Sequence, residues 1–137
     1  MEENINKNGK KQPTKKLIIN RKKPPPIEIL LEYEHLFVTI QSWNTYVDIM
    51  FLDGENIVEL EYTMTMKAIL LLLCPITFIR AHNRCIMNQD YALYYKTNDM
   101  EGYDVKMRYG EDVKVAKRRR DYFRKNVKID FIRQTKK

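Results

Sequence analysis

The sequence predicts a mostly β fold with a short internal helix and a short C-terminal helix. Three observations carry that expectation. Segments such as "YVDIMFL" and "IVELEY" alternate apolar and polar residues, the period of a half-buried strand. Turn signals such as Asp53-Gly54 and "NDMEG" (residues 98–102) recur at the spacing of an all-β domain. Helix signals are confined to two stretches, residues 63–74 and 117–128, and there is no internal repeat.

Residues 1–14 are rich in Lys, Asn and Glu and lack periodicity, so a disordered basic tail is expected there. A single domain over residues 15–130 follows, with residues 131–137 as a basic C-terminal tail; a chain of 137 residues has the length of one domain. "KLIIN", Lys16–Asn20, is a short strand candidate, broken by three prolines that each remove a backbone donor. Residues 27–42 suggest two strands around Glu32–His35, the second over Leu36–Gln41. After a turn at 43–45, residues 46–62 predict a hairpin. Val47, Ile49 and Phe51 share one face, Gly54 permits the reversal, and Val58, Leu60 and Tyr62 return opposite Glu59 and Glu61. "TMTMKAILLLLC" predicts a helix over Thr63–Cys74, capped by Thr63 or Thr65 and stopped by Pro75. Its Ile69, Leu70, Leu72 and Leu73 imply burial. "FIRAH" reads as a strand, His82, Asn83 and Arg84 interrupt it, and apolar residues resume at Ile86. Residues 91–97, 103–109 and 113–116 predict three further strands, and "KRRRDYFRKNVK" a short basic helix over 117–128. The expected core includes Phe51, Leu60, Ile69, Leu72, Phe78 and Ile86.

Composition narrows the function classes. The longest apolar run, Ala68–Cys74, falls far short of the ~20 residues that cross a bilayer. No signal-peptide pattern follows Met1. A soluble, cytoplasmic protein without a membrane partner is expected. Cys74 and Cys85 lack CxxC spacing and read as reduced, partly buried thiols. The chain has two His and four Gly and no nucleophile elbow, zinc-protease motif or phosphate loop. No enzyme, no metal site, no cofactor and no small-molecule substrate is expected.

The net charge of +7 is segregated. Residues 1–24 hold eight Lys/Arg against two acids, residues 25–103 four against eleven, and residues 104–137 thirteen against five. Basic ends around an acidic middle favour a polyanion, because clustered cations release condensed counterions from phosphates. Solvated charged tails are the plainer alternative. Side-chain chemistry adds to the polyanion reading. Asn83 offers the donor and acceptor that match an adenine edge, while Arg84 and Arg118 carry forks that match guanine or phosphate. Lys117, Arg118, Arg119 and Arg120 form a dense cation run.

The segment "FIRAHNRCIMNQDYAL" resembles the F-x-R-x-H-x-S-x-x-V-N signature of the LytTR DNA-binding domain of bacterial transcription regulators, through Phe78, Arg80, His82 and Asn88. "NTYVDI", "LDG", "TMKAILLLL" and "VKVAKRRRDYFRK" are similar to flanking family segments and occur in the family's order, so the resemblance spans about residues 16–128. Met87 replaces the usual Val, Arg84 stands where Ser is usual, and Asn83 where Arg is common. No receiver domain precedes the fold, which suggests a stand-alone regulator.

The resemblance implies an elongated, mostly antiparallel β arrangement whose loops enter successive major grooves of double-stranded DNA. Carried over, it implies DNA contacts from Tyr46 in a first loop, from Asn83 and Arg84 in a second, and from Lys117, Arg118 and Arg119 in a third. His82 is left between DNA contact and structural support, and Arg80 and Asn88 are assigned to holding the signature loop. A homodimer on paired sites stays open. Two rivals remain: a single-stranded RNA or DNA module using Tyr91, Tyr94, Tyr95, Tyr103 and Tyr109 as a stacking platform, and an interaction protein whose basic ends bind an acidic partner.

Overall fold

The computed structural model describes residues 4–5, 11–12, 17–20 and 22–133. Most of the expected tail at 1–14, Lys16 and residues 134–137 lie outside the described residues. Within the tail, β1 (Asn4–Ile5) and β2 (Lys11–Gln12) pair antiparallel. Leu17–Asn20 has no strand pairing, contrary to the strand expected there.

The next element is also a correction. Residues 27–36 are helical, as α1 (Ile27–Leu30) and a 3-10 turn over Leu31–Leu36. Pro26 stands at the N-cap with φ −52°, where its missing N–H costs nothing. Leu30, Tyr33 and Glu34 are buried, a spacing of three and four that turns one helical face inward. The Tyr62 hydroxyl donates to the Pro25 carbonyl at 2.6 Å and fixes this proline segment; burial pushes the Tyr62 phenol up to about 12.

β3 (Phe37–Trp43), β4 (Tyr46–Asp53) and β5 (Asn56–Tyr62) form the expected meander. Gly54, at φ 66°, makes the reversal between β4 and β5. α2 (Met66–Leu70) follows, with the Thr65 side chain accepting from the Ala68 N–H at 3.0 Å. It is shorter than the helix expected over 63–74. Met66, Ile69 and Leu73 are buried, whereas Leu72 is 44% exposed and Leu71 79% exposed. Leu72 therefore leaves the expected core, and Phe51, Leu60, Ile69, Phe78 and Ile86 remain in it. β6 (Phe78–His82) and β7 (Cys85–Asn88) complete a five-stranded sheet in the order β5-β4-β3-β7-β6.

A second sheet contains β8 (Ala92–Thr97), β9 (Tyr103–Met107), β10 (Val113–Val115) and β11 (Asp130–Phe131), in the order β10-β9-β8-β11. β11 pairs with β8 in parallel, an exception to the otherwise antiparallel pairing. A 3-10 turn at Lys117–Arg119 leads into α3 (Arg120–Asn126).

Both faces of the five-stranded sheet carry a core, although on the second face β5 leaves Glu59 and Glu61 exposed. One face packs Phe37, Ile40, Val47, Ile49, Phe51, Leu60 and Ile86 against Leu30 of α1 and Met66 and Ile69 of α2. A register shift between Phe37 and Thr39 puts Phe37 and Ile40 on that same face although they are three apart. The other face packs Val38, Leu52, Ile79, Ala81 and Met87 against Val105, Val113 and Val115 of the second sheet and Phe123 of α3. Cys74 and Cys85 are free and buried, one in each core; burial pushes the Cys85 thiol up to about 12. Among the described residues no helix is long and apolar enough to cross a membrane.

Candidate nucleic-acid interface

Strand pairing brings three turns to one end of the five-stranded sheet. β3 and β4 are joined by Asn44–Thr45, with Trp43 opposite Tyr46. β6 and β7 are joined by Asn83–Arg84, with His82 opposite Cys85. Antiparallel pairing of β3 with β7 sets Gln41 against Cys85, so both turns emerge at the same end. The Ser42 N–H donates to the Arg84 carbonyl at 2.9 Å and ties them together. The third turn, Lys117–Arg119, arrives from the second sheet. The Ala116 N–H donates to the Ala81 carbonyl at 3.0 Å, docking the end of β10 on β6. Behind it, Phe123 packs edge-on against Tyr95 at 5.2 Å and tilted against Tyr103 at 5.9 Å between ring centroids, which anchors α3 and the basic turn ahead of it.

At the meeting point, Arg119 Nη2 donates to Asn83 Oδ1 at 3.2 Å and Arg80 Nη2 to the Asn83 carbonyl at 2.9 Å. The Nε atoms of Arg80 and Arg119 are buried and unpaired in the protein. His82 Nδ1 accepts the Arg84 N–H at 3.1 Å, so this imidazole shapes the turn as a hydrogen-bond acceptor. Burial lowers the His82 pKa, and the charges of Arg119, Arg80 and Arg84 lower it further. Burial likewise lowers the Arg119 pKa, followed by Arg80 and Arg118. Desolvation is the larger cause of both shifts, and the neighbouring arginine charges add to it within one cation cluster. Asn83, Arg84, Lys117, Arg118 and Arg120 are exposed around it.

Two of the expected residues stand in different surroundings. Lys117 pairs with the Glu101 carboxylate. Tyr46, at the start of β4, borders a shallow concavity lined by Asp48, Glu59 and Glu61. Its pKa is raised by desolvation and then by those three acids. Asp48 accepts from Trp43 Nε1 at 2.7 Å and its hydrogen bond to Glu59 raises the Glu59 pKa. Tyr46 thus sits at the same end of the sheet as the Asn83 turn, on an acidic face that phosphate disfavours.

Asn88 does not hold the signature loop. It lies at the far end of β7, where its amide donates to the Phe37 carbonyl at 2.8 Å and accepts the Asp90 N–H at 2.9 Å. Arg80 does hold the loop, and its position in the cation cluster was signalled by its place two residues before His82 on the same strand face. Glu101 had no signal, since it read as one acid of the acidic middle. Of the five tyrosines considered for stacking, Tyr95 and Tyr103 are buried in the second core, Tyr91 donates its hydroxyl to the His35 carbonyl at 2.6 Å, and Tyr94 and Tyr109 are partly exposed.

The family model for the LytTr DNA-binding domain matches residues 36–128, the span that contains all three turns. Among solved structures, a LytTr DNA-binding domain from Bacillus cereus superimposes with a TM-score of 0.60 at 18% identity, covering 75% of this chain and 84% of that one. That likeness concerns the fold. No curated protein matches.

Proposed function

The chain belongs to the LytTr DNA-binding domain family, a family of transcription regulators that bind DNA, and on that premise we propose that it reads double-stranded DNA in a sequence-specific manner through loops in the major groove. One observation carries the proposal: the Asn83–Arg84 turn and the Lys117–Arg119 turn, distant in sequence, are hydrogen-bonded to each other within a cluster of arginines. In this reading Asn83 meets a base edge, with its amide aimed by Arg119. Arg84 and Arg118 engage guanine or phosphate through their forks. Arg119 neutralises phosphate, Lys117 does so only where Glu101 releases it, and His82 positions the turn rather than touching DNA. Tyr46 makes an uncharged contact from the first turn, where acids keep phosphate at a distance. A homodimer would place two such surfaces on paired half-sites.

The test is selection of bound duplexes from a random DNA pool, followed by titration against duplex and single strands of equal length. Enrichment of a short motif, with duplex preferred, supports the reading. Two motifs separated by roughly 10–10.5 base pairs or a multiple would support the homodimer. An unenriched pool, or preference for single strands, would overturn sequence-specific duplex binding.

A further inference from the structure

The turn between β8 and β9 is held more tightly than a surface connection requires. Asn98 Oδ1 accepts the N–H groups of Met100 at 2.9 Å and Gly102 at 3.0 Å, and its Nδ2 donates to Asp104 Oδ1 at 3.1 Å. Gly102 lies so close to β10 that a Cβ there would stand 1.9 Å from the Val115 carbonyl oxygen. Between these anchors Glu101 adopts φ 62°, the one non-glycine positive φ among the described residues, a region that side chains with a Cβ disfavour. The turn thereby carries a carboxylate into the basic surface. Glu101 pairs with Lys117 Nζ, and its carbonyl accepts from Arg120 Nη1 at 3.1 Å. Stability does not account for this arrangement, because the Lys117 and Glu101 side chains are 60% and 63% exposed and exposed ion pairs contribute little.

We infer that Glu101 is an intramolecular competitor of DNA phosphate: it occupies Lys117 and weakens binding to the phosphate backbone. The inference rests on the reading of this face as a DNA interface. A lysine already neutralised by a carboxylate brings no net positive charge to the DNA and so releases few of the counterions condensed on its phosphates. A phosphate that takes Lys117 must displace Glu101 and then lies beside an uncompensated anion fixed by Asn98 and Gly102. Glu101 thus sets how strongly the protein grips DNA of any sequence.

The test compares wild type, Glu101→Gln and Lys117→Ala, alone and combined, on a random-sequence duplex across a salt series. Glu55→Gln is the control, since it removes the same charge from the β4–β5 turn at the opposite end of the sheet. Glu101→Gln is expected to tighten binding roughly two- to fivefold at low salt, the range to which an exposed ion pair's coupling corresponds. It should also steepen the log affinity against log salt slope by about one. Lys117→Ala should barely change the slope in the native background and flatten it by about one in the Glu101→Gln background. Glu101→Asn, which tolerates the left-handed backbone, repeats the charge removal should Gln disturb the turn. Equal effects of Glu101→Gln and Glu55→Gln, or equal losses from Lys117→Ala in both backgrounds, would overturn the competitor role while leaving the interface standing. Absence of duplex binding by every variant at low salt would overturn both.

Discussion

His82 carries the pH dependence of the candidate interface. Its Nδ1 accepts the Arg84 N–H, which requires that nitrogen to be unprotonated. Burial, then Arg119, Arg80 and Arg84, lowers its folded-state pKa below the ordinary 6.5. Between that lowered value and 6.5 the unfolded chain binds more protons than the folded one, so stability falls as pH drops through this window and is complete above it. His35, lowered by burial, adds to the same slope. A residue-resolved NMR titration is expected to give His82 a midpoint below 6.5, with the chemical denaturation midpoint falling over the same range. A His82 midpoint at or above 6.5 would remove the neutral-acceptor role. The chemistry of Asn83 and Arg84 was legible because three polar side chains interrupt two apolar strands. The partner that holds Asn83 was not, because Arg119 lies 36 residues away and no local pattern encodes that contact.

The elements show which local rules dominate. The hairpin over 46–62 was legible because alternation and Gly54 agree. Residues 27–36 were misread as strand because their dense apolar content masks a three-and-four spacing, and because Pro26 acts as a helix start as well as a strand break. For α2 the sequence narrowed the cap to Thr63 or Thr65, of which Thr65 serves, but placed its end too late, since four consecutive leucines fit any register. Its packing makes a paired prediction. Ile69→Ala, fully buried, should cost ~2–5 kcal/mol in chemical denaturation. Leu72→Ala, half-exposed, should cost less than ~1 kcal/mol. Equal costs would mean that α2 is turned differently on the sheet. The glycines make a second pair. Gly54→Ala meets no atom within 4 Å, so only its positive φ opposes the change, by ~1–2 kcal/mol. Gly102→Ala must shift backbone against Val115 and should cost ~3 kcal/mol or more. A milder effect at Gly102 than at Gly54 would show that the β8–β9 turn can move off β10.

At the scale of the whole molecule, the interface depends on two cores sharing one sheet. The five-stranded sheet supplies the Asn44–Thr45 and Asn83–Arg84 turns, and the second sheet with α3 supplies the basic turn. Neither the pairing of β3 with β7 nor the parallel β11 was legible, because both join segments far apart in sequence. Family order, in contrast, was legible in the run of motifs from hairpin to signature to basic turn. Charge segregation along the chain told only part of the outcome: the cation cluster takes Arg80 and Arg84 from the acidic middle and joins them to Arg118 and Arg119.

On the proposed function, these joined turns read sequence rather than merely attract phosphate. That reading is tested most directly by the specificity ratio, the affinity for a selected duplex over a scrambled one, measured for wild type, Asn83→Ala and Arg118→Lys at matched salt. Asn83→Ala should lose roughly 1–3 kcal/mol on the selected duplex and little on the scrambled one. Arg118→Lys keeps the charge but loses the planar fork, and should likewise narrow the ratio. Equal losses on both duplexes, removed by raising salt, would reduce this surface to a nonspecific basic patch.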